Sequence, residues 1–253
     1  MMNTKKLLKI AEDASQKSAK ILMDHFQNDT VSRIKKDDTL VTEADMESEK
    51  EILSHLKKHT PEYSILSEEA GLYEVNASKY LWIVDPLDGT LNYAQKIPLF
   101  AVQIALVHHC KVVLGVINLP YENIIISAIK GEGVFINGTK VKPSEISNPQ
   151  SLMLFETYLD EVDLKILKSA AGKIKNVRII NSACVSMAYL ALGRANLVID
   201  RVDKPWDLAA GSLIAAEAGA KVTNLNGSEF DVFNPECVAT HGFNHETALN
   251  FLK

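Results

Sequence analysis

The spacing of apolar residues changes period along the chain, and each change predicts a different kind of element. From Lys5 to Phe26, Leu7, Leu8, Ala11, Ala14, Ile21, Leu22 and Phe26 recur near helical spacing. A polar stretch from Asn28 to Asp38 follows, with Arg33, Lys35 and Lys36 close together. A second helix is predicted from Thr42 to about Lys58, with Thr42 as N-cap, an acid three residues on, and Pro61 beyond its end. The middle third loses the helical period. Leu81-Trp82-Ile83-Val84 is a short run of β-formers halted at Asp85-Pro86. Ala101 to Val107, Val112 to Ile117, Ile124 to Ile129 and Val134 to Ile136 are further apolar runs. Between them lie His108-His109-Cys110-Lys111 and the Gly131-Glu132-Gly133 turn, and an Asn137-Gly138 pair closes the series. That pattern predicts a meander of antiparallel strands in one sheet. Past Pro143 to Pro149, helices are expected over Asp160 to Ala171, Ser182 to Gly193 and Trp206 to Ala218. Strands are expected over Val177 to Ile180, Leu197 to Asp200 and Lys221 to Asn224.

The change of pattern divides the chain into an N-terminal α+β half, residues 1–143, and a C-terminal α/β half, residues 144–253. The junction lacks a flexible linker's composition, so the halves are expected to be fused. Composition narrows the classes further. At 253 residues and 47% hydrophobic, the chain can bury a sizeable core and is neither disordered nor fibrous. Its 27 basic and 32 acidic residues leave a net charge of −5, with no basic excess to make nucleic acid or an anionic membrane its main partner. The most hydrophobic stretch, Leu99 to Leu119, carries Gln103, His108, His109 and Lys111, too polar for a span of ~20 apolar residues. No apolar signal core follows the basic start, so a cytoplasmic protein is expected. Cys110, Cys184 and Cys237 show no CxxC spacing; a reducing compartment and three small buried residues are the expectation.

The carboxylates change the picture most. In Trp82-Ile83-Val84-Asp85-Pro86-Leu87-Asp88-Gly89-Thr90, an apolar strand leads to two aspartates three residues apart at a predicted turn, with Pro86 stiffening the chain between them. Gly89 permits a backbone angle, or a close approach, that a side chain would block. Ser67-Glu68-Glu69 follows the apolar stretch Tyr63, Ile65, Leu66, and Trp206-Asp207 puts an acid on the first turn of an apolar helix. Taken singly, each has a bland explanation: a strand-end turn, or an acid complementing a helix dipole. Four such acids at one point would repel one another, and an oxygen-seeking divalent cation resolves that repulsion, with Mg²⁺ the best match.

The segment Val84-Asp85-Pro86-Leu87-Asp88-Gly89-Thr90-Leu91-Asn92-Tyr93 resembles the first signature of the inositol monophosphatase family. Trp206-Asp207-Leu208-Ala209-Ala210-Gly211, running on to Glu217-Ala218-Gly219, resembles its second. The Glu68-Glu69 pair and Leu40-Val41-Thr42-Glu43-Ala44-Asp45 match in order and spacing. The resemblance implies the layered αβαβα sandwich shared with fructose-1,6-bisphosphatases, and a lithium-sensitive, Mg²⁺-dependent phosphatase, usually a homodimer. It implies that Glu68, Asp85, Asp88, Asp207 and the Leu87 carbonyl hold two or three Mg²⁺ ions. It further implies that Asp45 and Thr90 activate the attacking water, that Glu69 is an outer acid, and that the loop at Lys35-Lys36 forms a mobile lid. Asp45 has a competing role, closing a capping box with Thr42; the two roles are compatible.

The chemistry follows. A phosphate monoester is extremely inert, so a catalyst must neutralise its charge and supply an in-line water. Thr90 carries a hydroxyl able to donate to Asp45 while accepting from that water, and Gly89 can expose backbone N–H groups to the phosphate. By resemblance, Asp200 stands where animal inositol enzymes carry Glu and meets the substrate's hydroxyls; Arg201 and Lys204 meet a second phosphate or only solvent. The Leu91-Asn92-Tyr93 tail resembles the form typical of inositol monophosphatases and of the dual fructose-bisphosphatases of archaea and some bacteria. A small phosphorylated substrate is expected, inositol 1-phosphate first. A fructose-1,6-bisphosphatase or a 3′(2′),5′-bisphosphate nucleotidase stands behind it, and a regulatory binding protein on the same fold is the non-enzyme alternative. His108, His109, His241 and His245 lack ligand spacing with the acids and are assigned surface or strand-end roles.

Overall fold

The computed structural model describes residues 3–28, 32–34, 40–75, 78–141, 151–157, 159–201 and 204–253, with 32–34 and 40 described by backbone alone. In chain order the elements are α1 (Thr4–Gln27), β1 (Ser32–Ile34), β2 (Leu40–Thr42), α2 (Glu43–His59), β3 (Ser64–Ser67), β4 (Gly71–Tyr73), β5 (Tyr80–Asp88), α3 (Thr90–Ala94), β6 (Ala101–His108), β7 (Lys111–Leu119), β8 (Ile124–Ile129), β9 (Gly133–Ile136), β10 (Thr139–Val141), β11 (Leu152–Glu156), α4 (Glu161–Ala170), β12 (Asn176–Arg178), α5 (Ala183–Ala191), β13 (Leu197–Asp200), α6 (Pro205–Glu217), β14 (Lys221–Thr223), β15 (Cys237–Thr240) and α7 (His245–Leu249). The expected meander is present. Strands β5 to β10 run antiparallel in one eight-stranded sheet, ordered β10-β9-β8-β7-β6-β5-β3-β4, in which only β3 and β5 pair in parallel. A second, five-stranded sheet is ordered β12-β11-β13-β15-β14. Two of its strands, β11 and β15, do not stand out in the apolar pattern, being only five and four residues long.

Side chains along each strand alternate between two cores, as the two-residue period requires. On β6, Val102, Ile104 and Leu106 pack with α1 and α2, while Ala101, Ala105 and Val107 face α5 and α6. In the second sheet, Leu154, Val198 and Ala239 face the same two helices. Met153, Phe155, Leu197, Ile199 and Val238 face the opposite way, onto Ile166 and Ala170 of α4 and Ala248 and Phe251 near the C-terminus. Helices α1 and α2, the large sheet, α5 and α6, the small sheet, and α4 with α7 therefore form five layers, the expected αβαβα sandwich. Apolar contact on both faces explains why α5 and α6 carry little amphipathic pattern. Close approach makes the stack possible: a side chain at Gly115 of β7 would lie 2.8 Å from the Ala210 Cα of α6. The expected junction between halves falls within 142–150, outside the described residues.

Candidate active site

The acids meet at the open end of the large sheet because of one backbone irregularity. In a regular strand, residues three apart point to opposite faces. Asp85 pairs with Gln103 and Asp88 with Ala101, so three steps on β5 oppose two on β6. That β-bulge adds one residue and returns both aspartates to the same face. The Asp-Pro-x-Asp segment is thus not the turn expected from the sequence but the last part of β5. Pro86 is tolerated there because a bulge does not need its missing N–H. The parallel pairing of Ser67 with Val84 then brings Glu68 beside Asp85, and the Glu68 N–H donates to the Val84 carbonyl (3.2 Å). Asp207 arrives on the first turn of α6, where its carboxylate accepts the Lys204 N–H (2.6 Å).

Asp85 and Asp88 are 1% and 8% exposed. Asp85 accepts the Leu87 N–H (2.9 Å), and Asp88 accepts the Ser182 hydroxyl and the Cys184 N–H (3.1 Å). Burial pushes the Asp85 pKa well above the usual carboxylate range, and the charges of Glu68, Asp88 and Asp207 add to the shift. Burial likewise raises Asp88 to about 7, with the Ser182 hydrogen bond opposing it. The charges acting most strongly on Asp85 come from acids. Such a cluster is costly unless neutralised, either by protons or by a cation.

Asp45 and Thr90 also meet. The Thr90 hydroxyl donates to the Leu87 carbonyl (3.0 Å) and lies 3.4 Å from Asp45 Oδ1. The other Asp45 oxygen accepts the Thr42 N–H (2.8 Å) and the Thr42 hydroxyl, closing the capping box of α2. The capping box and the contact with Thr90 therefore coexist, on different oxygens. Burial raises Asp45 to about 7, against the pull of the Thr42 hydrogen bonds. Gly89 sits between the two groups at φ 82°, and a Cβ there would lie 2.7 Å from the Leu99 carbonyl oxygen. Gly89→Ala therefore meets both left-handed strain and a backbone clash, together roughly 2–4 kcal/mol. A fall in Tm of about 5–10 °C is expected by calorimetry, with activity lost in parallel. The rest of the first signature is structural. Asn92 Nδ2 donates to the Leu99 and Ile180 carbonyls (2.8 and 2.7 Å), and the Tyr93 hydroxyl donates to the Leu22 carbonyl of α1 (2.6 Å).

Four further residues organise the site and are absent from the sequence-based set. Glu49 on α2 accepts from the Ser67 hydroxyl (2.5 Å) and the Glu69 and Ala70 N–H groups (3.1 and 3.0 Å), fixing the loop that carries Glu68. Gln103, the cross-strand partner of Asp85, donates through Nε2 to the Trp206 carbonyl and accepts the Gly211 N–H (2.9 Å). It thereby pins the turn bearing Asp207. Glu156 accepts the Ser186 hydroxyl (2.5 Å) and the Ser182 N–H (3.2 Å), holding the start of α5 against Asp88. Its signal was present: like Glu68 and Asp200, it is an acid ending an apolar run. Cys184 is the fourth: its Sγ and the carboxylate oxygens of Asp85 and Asp88 lie within 4.8 Å of one another.

The remaining predicted residues scatter. Asp200 is fully buried at the end of β13, in register with Glu156 on β11. Glu69 uses its backbone on Glu49 and adds its charge to the field on Asp45. Arg201 is committed to Asp160 (3.1 Å) and Asp163 at the start of α4, and Lys204 is exposed. Lys35 and Lys36, the expected lid, lie outside the described residues. His245 corrects the surface assignment: it is buried, bridging Thr223 and Thr240 hydroxyls at 2.9 and 2.8 Å. Cys110 corrects the expectation of three buried thiols: it is exposed at the β6–β7 turn, while Cys184 and Cys237 are buried. A cleft of about 560 Å³ beside α1, lined by Lys9, Glu12, Gln16, Lys20 and Asn118, holds none of the clustered acids.

Fold and site together define a centre of converging carboxylates between two stacked sheets. A sequence model of the inositol monophosphatase family matches residues 3–252. The fructose-1,6-bisphosphatase/inositol-1-monophosphatase of Thermotoga maritima is 32% identical over 211 residues, 83% of this chain and 81% of that protein. The structure titled extragenic suppressor protein suhB from Bartonella henselae superposes with a TM-score of 0.90 at 29% identity, covering 98% of each chain. A structure titled IMPase/NADP phosphatase complexed with Mg²⁺ and phosphate has a TM-score of 0.87 at 22% identity over 100% of this chain and 97% of that one, a likeness of fold. The chain belongs to the inositol monophosphatase family, a family of phosphatases.

Proposed function

We propose that this protein is a Mg²⁺-dependent phosphate monoester hydrolase with inositol 1-phosphate as its first substrate. The reading is carried by buried Asp85 and Asp88 clustering with Glu68 and Asp207, with no basic group among the charges that act most strongly on them. The donor set fits Mg²⁺, being all oxygen: four carboxylates and the Leu87 carbonyl, already turned toward the Thr90 hydroxyl. The N-terminal ends of α5 and α6 point at the same place and favour anionic groups there. When bound, Mg²⁺ supplies charge neutralisation for the phosphate and makes a nearby water more acidic.

The chain's own residues do the rest. The Thr90 hydroxyl, fixed between the Leu87 carbonyl and Asp45, accepts a proton from the attacking water as it gives its own to Asp45. An Asp45 pKa of about 7 suits a base that is half-deprotonated at neutral pH and can return the proton. Gly89 leaves room beside this pair, and Ser182 and Glu156 hold Asp88 still. Asp200 is assigned to the substrate's hydroxyl side. The homodimer implied by the resemblance and the cytoplasmic residence expected from the sequence belong to the same reading; among the described residues no helix is long and apolar enough to cross a membrane.

Phosphate release from inositol 1-phosphate, fructose 1,6-bisphosphate, 3′-phosphoadenosine 5′-phosphate and histidinol phosphate tests it. Turnover that needs Mg²⁺, falls with Li⁺ and is fastest on inositol 1-phosphate is expected. Fastest turnover of fructose 1,6-bisphosphate would move the assignment to the second reading, which the doubly named Thermotoga relative favours. Hydrolysis of none of the four would leave the regulatory reading standing. Thr90→Val should cut kcat by about 10²-fold with KM little changed, and Thr90→Ser should restore most of it.

A further inference from the structure

Cys184 is a donor at the acidic centre that the magnesium reading leaves unused. It is the second residue of α5 and fully buried. Its N–H donates to Asp88 and its thiol to the Asp207 carbonyl (3.4 Å), so both its polar groups are turned into the centre rather than into the apolar layer. Its Sγ stands within 4.8 Å of carboxylate oxygens of Asp85 and Asp88, which are as close to each other. Asp85 supplies an independent indication. It is 1% exposed, and its Oδ1 accepts the Leu87 N–H. Once ionised, a carboxylate in that position is best neutralised by a cation, and the adjoining sulfur decides which cations are held best.

Mg²⁺ gains nothing from sulfur. A thiophilic divalent ion takes sulfur at about 2.3 Å and carboxylate oxygen at about 2.0–2.2 Å in a tetrahedral shell, which sets its donors roughly 3.5 Å apart. The three donors already lie within 4.8 Å of one another, so reaching that spacing takes shifts of no more than about an ångström. We propose that Cys184, Asp85 and Asp88 form a site for a thiophilic divalent cation of the Zn²⁺ or Cd²⁺ class, which competes with the catalytic cation for the same two carboxylates. Binding forms a metal–sulfur bond while the thiol proton passes to solvent water; nothing is oxidised or reduced. The thiol also gives up its bond to the Asp207 carbonyl, which ties occupancy to the first turn of α6. The site itself stands on the donor geometry, whereas the competition rests on the proposed phosphatase function.

Cadmium provides a readout separate from catalysis. In a Cys110→Ser background, which removes the exposed thiol, metal-stripped protein titrated with Cd²⁺ should develop ultraviolet sulfur-to-metal charge-transfer absorption that saturates at one ion per chain. Cys184→Ser should abolish it, with Cys184→Ala as a second variant and thermal unfolding by circular dichroism to confirm that each is folded. In turnover at fixed Mg²⁺, the Zn²⁺ concentration for half-inhibition, normalised to each protein's own rate, should rise at least ~10-fold in the Cys184 variants. No absorption in the parent protein, or the same absorption without Cys184, overturns the site. Absorption with no hydrolysis of any phosphate ester would leave the site standing and remove the phosphatase reading; hydrolysis without absorption would do the reverse.

Discussion

Asp88→Asn is expected to lower kcat/KM by on the order of 10³-fold or more, about 4 kcal/mol of lost transition-state stabilisation, while the protein still unfolds cooperatively. Asn keeps the shape of Asp and removes the charge. Both the Ser182 hydroxyl and the Cys184 N–H donate to the same Asp88 oxygen, Oδ2, and the Asn oxygen placed there can still accept both. What disappears is a charged oxygen beside Asp85, and with it the grip on a divalent ion. Stability without metal should not fall, because a buried acid among acids is removed. Steady-state kinetics at saturating Mg²⁺ and a thermal melt in chelator read the two halves of the prediction. A near wild-type rate would show that Asp88 does not hold the catalytic cation.

The second large effect is a stability that runs against the usual pH trend. Asp45 and Asp88 have an ordinary value of 3.8 and are raised to about 7 by burial, and Asp85 is raised as well. Between about pH 4 and 7 the folded chain therefore holds protons that the unfolded chain has released. Stability is highest at the acid end of that window and falls as pH rises through the folded values. In chelator, Tm should drop by several degrees between pH 5 and 8. With saturating Mg²⁺, which binds the deprotonated carboxylates, the gap between loaded and stripped protein should widen with pH. Exposed Asp160 and Glu229, whose pKa values hydrogen bonds and ion pairs lower, act in the opposite sense only below about pH 4, whereas His55, His108 and His245, held below the ordinary 6.5 mainly by desolvation, act in the opposite sense as pH rises toward 6.5 and offset part of the drop. A Tm in chelator that is flat or rising from pH 5 to 8 would mean that these acids are already neutralised within the protein.

Much of the site could be read from the chain because its proposed metal ligands lie in short local motifs. Asp85, Leu87, Asp88, Gly89 and Thr90 lie within six consecutive positions, so their relation depends on local backbone, and Asp207 announces itself as an acid opening an apolar helix. The helices and the meander were accessible for the same reason: period and caps are properties of neighbours in sequence. The residues that steady the site were not. Glu49, Gln103, Glu156 and Cys184 act on partners 20, 108, 26 and 23 residues away, respectively. Gln103 in an apolar run reads only as an interruption until β6 is laid beside β5 and α6.

By itself, then, the sequence determined the family, the order and kind of most elements, and the acids that gather. Those follow from local pattern and from residue chemistry. Tertiary structure alone decided that a bulge turns Asp85 and Asp88 to one face, that the Asp45 capping box and its contact with Thr90 use different oxygens, and that a thiol stands among the carboxylates. Each depends on register between strands or on the meeting of separate layers, and no spacing along a single segment encodes it.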